Sequence, residues 1–473
     1  MLQDDGESRR AFLRSSSLFL KTSALGLATF SMSAAKARSA REAWPPRRPG
    51  RAPSVTPSIA ASTAPRVTGF FPILQGATSA TETQLHVLTP TDATCKYVVI
   101  DAAGARREFW ATRRRGVAAS GWLSDHVWID GLQAGASCRL EIERVDQAGV
   151  RSGVLDRREF KTLATSPAAP LRTALISCMN DRYVNDQGAM WAAVAESEPE
   201  LMIFNGDLCY VDQRSSGTID GMWDRHVTTR RMLDVFRWNK LVPTLVNWDD
   251  HDLAENDSNV RNPRLKPAGE FFDAMFGFDD VQGLTRSPGR SFAMEIGGLK
   301  FLMLDGRSAL DARAGRVFSE DDLLWAEREI QSATRPLVLV CGQQFFGDYL
   351  IGAESVERYA RSQLQRLMQA GQQSNAPMVL VSGDVHFSEI MRLESSLMGY
   401  ETLEITSSAI HSRTFVGQQY RSSNPRRLES TSRNNFCLTT WTPSADGREV
   451  SLELRCLGRD QTEYFQFKDR IRR

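Results

Sequence analysis

From about residue 165 onward, short apolar runs recur along the chain, with amphipathic stretches between some of them. The runs are "LRTALIS" (171–177), "LMIFN" (201–205), "LVPTLVNW" (241–248), "LKFLML" (299–304), "RPLVLV" (335–340) and "APMVLV" (376–381). Each is too short for a helix, rich in β-forming residues and apolar on both faces when extended, which predicts strands covered on both sides. "GAMWAAVAES" (188–197), "SEDDLLWAEREIQSA" (319–333) and "VERYARSQLQRLMQAG" (356–371) repeat their apolar positions at helical spacing. The alternation predicts an α/β domain over 165–473 with largely parallel sheets. Residues 67–163 read differently. "TQLHVLT", "KYVVID" and "CRLEIERV" are short strand-like segments separated by turn residues, and they predict a small all-β sandwich. Residues 38–66, dense in Pro, Arg, Ala and Ser, read as a disordered linker. No internal repeat is evident.

Bulk properties narrow the function classes. A length of 473 residues calls for more than one domain. With 41% apolar and 24% charged residues and a net charge of +1, the chain is of ordinary globular composition, and nothing favours nucleic acid as a partner. No run reaches the ~18 apolar residues of a stable membrane span. The N-terminal stretch "SRRAFLRSSSLFLKTSALGLATFSMSAAKA" carries Arg9 and Arg10, a weakly apolar segment and small residues ending at Ala37. That is the pattern of a twin-arginine export signal over 1–37, which implies the twin-arginine export machinery as a partner and a periplasmic or secreted location. Such substrates cross the membrane folded, which suits a protein that takes up its cofactor in the cytoplasm. The seven cysteines are odd in number and irregular in spacing, so they do not form a disulfide framework.

The chemistry sits at the strand ends. The first run ends in Ser177-Cys178, the second in Asn205-Gly206-Asp207 followed by Tyr210, and the third in "NWDDHD" (247–252). "LKFLML" ends in Asp305-Gly306-Arg307 and "APMVLV" runs into "SGDVH" (382–386). Carboxyl ends of strands line the ligand crevice of open α/β sheets, and five polar ends in series argue for one shared site. Asp, His, Tyr and a thiol are metal-ligand types, and Arg matches phosphate. A carboxylate can bridge two cations, the clamp used for displacement at phosphorus. Phenolate together with thiolate suits a highly charged iron(III). Each residue also has an ordinary reading. Asp207 could cap a helix, Cys178 could be a buried apolar thiol, Tyr210 a core tyrosine, His251 a structural histidine, and Arg307 a surface ion pair. Of Asp249 and Asp250, the second is the preferred ligand because it directly precedes His251. His411, in "SSAIHS", reads equally as a neighbour of the site or a loop residue. His86, His126 and His226 read as structural.

In this order, "SC", "GD-x-x-Y", "WDDH", "LDGR" and "GDVH" resemble the alkaline phosphatase D (PhoD-type) branch of the calcineurin-like metallophosphoesterases. The Gly-Asp-x-x-Tyr element is also similar to that of purple acid phosphatases. The segment around Leu132, "WIDGLQAGASCRLEIERV", resembles a turn of fibronectin type III modules, with Cys138 in place of the tyrosine. The resemblance implies a metallophosphoesterase β-sandwich flanked by helices and preceded by a small fibronectin type III-like domain. It further implies that Asp207 bridges two metals, that Cys178, Tyr210 and His386 complete an Fe3+ side, and that Asp250 and Asp384 face a second cation, Ca2+ in that branch. His251 would lie beside the phosphoryl group. Arg307 would bind phosphate oxygens, with Arg182 a weaker candidate. The departures are Asp252 where the branch has Glu, Cys209 before the tyrosine, and only a loose match at Asn256 and Asn259. The implied activity is hydrolysis of a small-molecule phosphate ester, most simply a monoester. A phosphodiesterase or phospholipase on the same metals, or a secreted binding protein on a degenerate scaffold, are the alternatives.

Overall fold

The structure, a computed structural model, describes residues 66, 69–145, 151–164, 169–213, 215–347, 354–415, 417–420 and 424–473. The expected export signal (1–37) and all of the expected linker except Arg66 lie outside the described residues. Among the described residues no helix is long and apolar enough to cross a membrane.

The first eight strands are β1 (Ile73–Thr78), β2 (Thr83–Pro90), β3 (Thr94–Ile100), β4 (Arg106–Phe109), β5 (Arg113–Arg115), β6 (Trp122–Ile129), β7 (Ser137–Val145) and β8 (Arg151–Lys161). They form two antiparallel sheets, ordered β1-β2-β6-β5 and β4-β3-β7-β8. Alternate residues of both sheets, among them Leu85, Val87, Tyr97, Val127, Leu140 and Phe160, fill the core between them. Leu132 and Cys138 are buried in that same core.

The remainder begins with β9 (Leu171–Ile176), α1 (Val184–Glu196), β10 (Leu201–Asn205), α2 (Ile219–Met232), β11 (Thr244–Asn247) and α3 (Leu265–Phe276). It continues with β12 (Leu284–Arg286), β13 (Phe292–Ile296), β14 (Leu299–Leu304), α4 (Glu320–Gln331), β15 (Leu337–Cys341), α5 (Val356–Gln373) and β16 (Met378–Ser382). The last strands are β17 (Ser388–Leu393), β18 (Thr402–Thr406), β19 (Arg427–Thr431), β20 (Phe436–Pro443), β21 (Glu449–Leu457) and β22 (Glu463–Arg472). Two mixed sheets result, ordered β11-β10-β9-β20-β21-β22 and β12-β13-β14-β15-β16-β18-β17-β19. Parallel pairing is confined to β9–β11 in one sheet and to β14, β15, β16 and β18 in the other. The rest is antiparallel, so the sheets are less parallel than the apolar runs predict.

The period of two explains the layering. In β10, Ile203 joins a core with Val338, Val340, Val379 and Val381 of the second sheet. Its neighbours Met202 and Phe204 turn the other way, onto Trp191 of α1, Trp223 of α2 and Phe272 of α3. Leu339 and Leu380 of the second sheet likewise pack on Leu323 of α4 and Leu364 of α5. Strands with two buried faces therefore build a helix–sheet–sheet–helix sandwich.

Asparagines lock the sheets together at one edge. Asn205, the last residue of β10, donates its amide to the carbonyl of Cys341 at the end of β15, at 2.7 Å. Asn247, the last residue of β11, does the same to Leu304 at the end of β14, also at 2.7 Å. Both bonds are buried, so they fix the carboxyl ends of four strands side by side.

Candidate metal centre

Turns leaving those strand ends carry the chemistry. Cys178, Asp207, Asp384 and His386 all adopt left-handed backbone conformations, with φ of 58, 57, 68 and 56°. For residues with a Cβ this costs about 1–2 kcal/mol each, and such positions concentrate where a side chain must be aimed at a site. Gly206 (φ 86°) leaves no choice. A Cβ there would lie 2.5 Å from the Cβ of Asp249, so only glycine lets the two acidic turns approach.

Four groups of side chains stand in metal-ligating proximity, each with its ligand atoms within 4.8 Å of one another. They are Cys178, Asp207 and His386; Asp207, Asp250 and His251; Asp249, Asp250 and Asp384; and Asp250, Asp257 and Glu354. Asp207 joins the first two groups and Asp250 joins the last three, so the groups form one continuous cluster. The Tyr210 hydroxyl lies 3.1 Å from Asp207 Oδ2, 3.3 Å from His386 Nε2 and 3.2 Å from Ser412 Oγ. It is thus a fourth donor atom beside the thiol-containing group. Cys178 Sγ is 3.1 Å from Ser408 Oγ.

His251 is held from two sides. Its Nδ1 lies 2.8 Å from Asp212 Oδ1, and its ring packs on that of Tyr210 with centroids 4.1 Å apart. The 3-10 turn Asp250–Leu253 that presents it is closed by a capping box. Asp252 accepts the N–H groups of Leu208, Cys209 and Asp249, all at 2.9 Å, which ties the two acidic loops together.

The electrostatics are those of a site built for cations. Burial pushes the carboxyls of Asp207 and Asp384 well above their usual range; His251 pulls Asp207 back in part, while Asp249 and Asp250 raise both. Burial raises Asp249 to about 6, partly offset by Arg307, and raises Asp257 to about 6, with Glu354 adding to it. Burial, aided by Asp207, lifts the Cys178 thiol and the Tyr210 phenol well above their normal values. Burial opposes a charge on His251, but Asp207, the hydrogen bond to Asp212 and Asp250 overcome it and raise its pKa to about 11. Burial and the nearby His251 lower His386 to about 4, leaving it neutral and able to ligate. Six clustered carboxylates are met by ion pairs from Arg307 and His251. Polyvalent cations fit this donor set: they supply the missing charge and would deprotonate the thiol and phenol.

The predicted residues are thus placed as follows. Cys178, Asp207, Tyr210, Asp250, His251, Asp384 and His386 meet in one cluster. Arg307 stands beside the same acids, with Nη2 lacking a hydrogen-bond partner among the described residues. It is fully buried, its guanidinium paired with Asp249 and Glu354, and Nη2 lies 3.8 Å from Asp250. It is an internal counter-ion that positions three acids. Arg182 is exposed and bonds Gln213 Oε1 at 3.0 Å. Cys209 faces the helical core, 3.4 Å from Thr229 Oγ1, and is no stray ligand. His411 bonds the carbonyl of Asn180 and receives the Trp191 indole N–H, both at 3.1 Å, a structural arrangement. Asp249, ranked below Asp250, belongs to the cluster as well. Asp212, Asp257 and Glu354 carry no signal in the sequence, since none directly ends an apolar run.

No family model and no curated protein matches the sequence. Solved structures do match in fold. A structure titled "Structure of PhoD" superposes with a TM-score of 0.65 at 17% identity, covering 86% of this chain and 89% of the other. The purple acid phosphatase PPD1 of yellow lupin (Lupinus luteus) superposes with a TM-score of 0.60 at 14% identity, covering 86% and 74%. The chain has the fold these two proteins share.

Proposed function

We propose that the protein is an exported, metal-dependent phosphoric ester hydrolase of the alkaline phosphatase D type, acting first on monoesters. One observation carries this reading. Asp207 joins a thiol–phenol–imidazole group to a set of carboxylates, in a cluster whose negative charge the side chains alone do not neutralise. Cys178, Asp207, Tyr210 and His386 would hold Fe3+, and Asp250, Asp384 and Asp249 would hold Ca2+ or another divalent ion. When bound, such ions polarise phosphoryl oxygens and acidify water. The chain's own residues do the remainder. His251, protonated and oriented by Asp212, gives its proton to the departing alkoxide as water adds to phosphorus and the ester P–O bond breaks; the proton released by that water restores His251. Arg307 keeps Asp249, Asp250 and Glu354 in place. Export through the twin-arginine route to the periplasm or medium is supported by residues 1–37 alone.

Elemental analysis of the full-length protein, alongside turnover of 4-nitrophenyl phosphate and bis(4-nitrophenyl) phosphate, tests the proposal. Bound iron plus a second metal, with monoester hydrolysis, is expected. Faster diester turnover would move the assignment to a phosphodiesterase. Metal-loaded protein inert to both esters would reduce it to a binding protein.

A further inference from the structure

Two serine hydroxyls face the thiol of the metal centre, and their other partners give them opposite roles. Ser177 Oγ lies 3.3 Å from Cys178 Sγ, and Ser408 Oγ lies 3.1 Å from it. The main-chain carbonyl of Asp384 also approaches the sulfur, at 3.8 Å. Cys178, Ser177 and Ser408 are all buried.

A hydroxyl has a single proton to donate. That of Ser177 is spent on the carbonyl of Ser407, 2.8 Å away. Turning it toward the sulfur would strand a buried carbonyl, so Ser177 presents lone pairs to Cys178. Ser408 is arranged the other way. Its oxygen accepts the main-chain N–H of His386 at 2.9 Å. Its proton meets Cys178 Sγ with no competing acceptor among the described residues. The Asp384 carbonyl can only accept. Of the three groups beside the sulfur, Ser408 alone has a proton free to give.

The Ser408 backbone is pinned independently of its side chain. Its N–H donates to Ser388 Oγ at 2.9 Å, and its carbonyl accepts Asn435 Nδ2 at 3.3 Å. The first residue of β17 and the residue preceding β20 thus aim the hydroxyl. One small side chain links the turn carrying Cys178 to the turn carrying His386.

The difference matters once a metal is bound. A ligating thiolate has no proton and can only accept. Hydrogen bonds to a ligating sulfur draw electron density from the metal–sulfur bond and help set the reduction potential of the metal.

We infer that Ser408 is a positioning residue of the metal centre, donating its hydroxyl proton to the Cys178 thiolate while its oxygen holds the His386 turn. The donated bond weakens the metal–sulfur bond and raises the reduction potential. Ser177, almost as close, does neither. The inference rests on ligation by Cys178, as proposed above, and names the group that tunes that ligand.

The experiment uses full-length iron-loaded protein, with metal content, the metal–sulfur stretch in resonance Raman spectra and the reduction potential measured together. Cys178→Ser identifies the stretch by its loss. Ser408→Ala is expected to keep its iron, raise the stretching frequency and move the potential to a more negative value. Ser408→Thr, which retains the hydroxyl, should match wild type in both, and so should Ser177→Ala. Wild type loaded in D2O should show a shifted stretch. Equal shifts in Ser177→Ala and Ser408→Ala, or an unshifted Ser408→Ala, would overturn the inference and leave ligation by Cys178 standing. Iron-loaded wild type with no metal–sulfur stretch would overturn that ligation, and the inference with it. Should Ser408→Ala misfold, the deuterium shift decides. Present in wild type and in Ser177→Ala, it supports Ser408 as the donor; absent from wild type or lost in Ser177→Ala, it overturns the assignment.

Discussion

Asp207 and His251 carry different burdens at the scale of single residues. Asp207 is shared by two ligand groups and also accepts the Tyr210 hydroxyl. Asp207→Asn removes the charge that both groups rely on, so loss of bound metal, read by elemental analysis, is expected along with loss of turnover. His251→Ala should leave the metal content intact, because the thiol-containing group does not need it, yet reduce kcat by about 10²–10³, the usual effect of removing a proton donor or one electrostatic stabiliser. If the metals leave His251→Ala, the histidine is a ligand and not the acid. Tyr210→Phe isolates the phenol. A visible charge-transfer band in the wild type that vanishes in this variant would assign a tyrosinate–iron(III) bond, whereas a colourless, active wild type would remove either the tyrosine or the iron from the proposal. The sequence made most of these residues legible because each stands directly after an apolar run. It leaves the role of Arg307 open, since a basic residue in a turn beside acids has the same sequence signature whether it grips a phosphate or neutralises its neighbours. In the structure Arg307 is 0% exposed and paired with Asp249 and Glu354, and Nη2 has no hydrogen-bond partner among the described residues.

Among the elements, the 3-10 turn Asp250–Leu253 depends on one side chain. Asp252 stands where the resembled branch has glutamate, and here it is not a ligand but a clasp, accepting three backbone N–H groups from two loops. Asp252→Ala would strand those three buried donors, at a cost of roughly 3 kcal/mol or more. A lowered denaturation midpoint together with weakened metal retention is therefore expected, because the Asp207 and Asp250 turns lose their mutual register. Unchanged unfolding and metal content would show that the clasp is dispensable. The same scale separates what was readable in the fold from what was not. "LMIFN" and "LKFLML" coincide with β10 and β14 because a doubly buried strand must be apolar throughout. Helix α2 reads weakly, because it buries Arg225, His226 and Arg230 along with its apolar residues, which blurs its periodicity. The antiparallel strand β21 carries polar residues at alternate positions, so it does not stand out as an apolar run. The Asn205 and Asn247 locks depend on contacts between two sheets far apart in sequence, and no local pattern encodes them.

Taken as a whole, the molecule is sewn along a polar seam between its small sandwich and the larger body. Arg158, fully buried against Asp156, reaches the carbonyls of Phe71 and Trp238, and Gln84 exchanges two hydrogen bonds with the backbone of Asp279. The seam also buries three histidines, His86 and His226 beside Arg230 and His126 against His86. Burial, then Arg225 and Arg230, hold His226 down to about 3. Burial, opposed by Asp279 and aided by Arg113 and Arg115, holds His126 down to about 4. Burial, His126 and Arg230 keep His86 well below its ordinary value. A histidine whose folded pKa is depressed binds fewer protons in the native state than in the unfolded state, so stability rises with pH. The full contribution is present above the unfolded value near 6.5 and is lost progressively as pH falls toward the folded value. At pH 5, His226 alone would forfeit on the order of 2 kcal/mol. The buried carboxylates of the metal centre have raised folded values and would act in the opposite sense, so the experiment belongs on metal-loaded protein, where those groups are engaged. Thermal melts of wild type and His226→Leu between pH 8 and pH 5 should converge on acidification: the variant gives up the histidine's packing but escapes its proton. Parallel pH profiles for the two proteins would show that His226 is already solvated and that the seam is not closed as drawn.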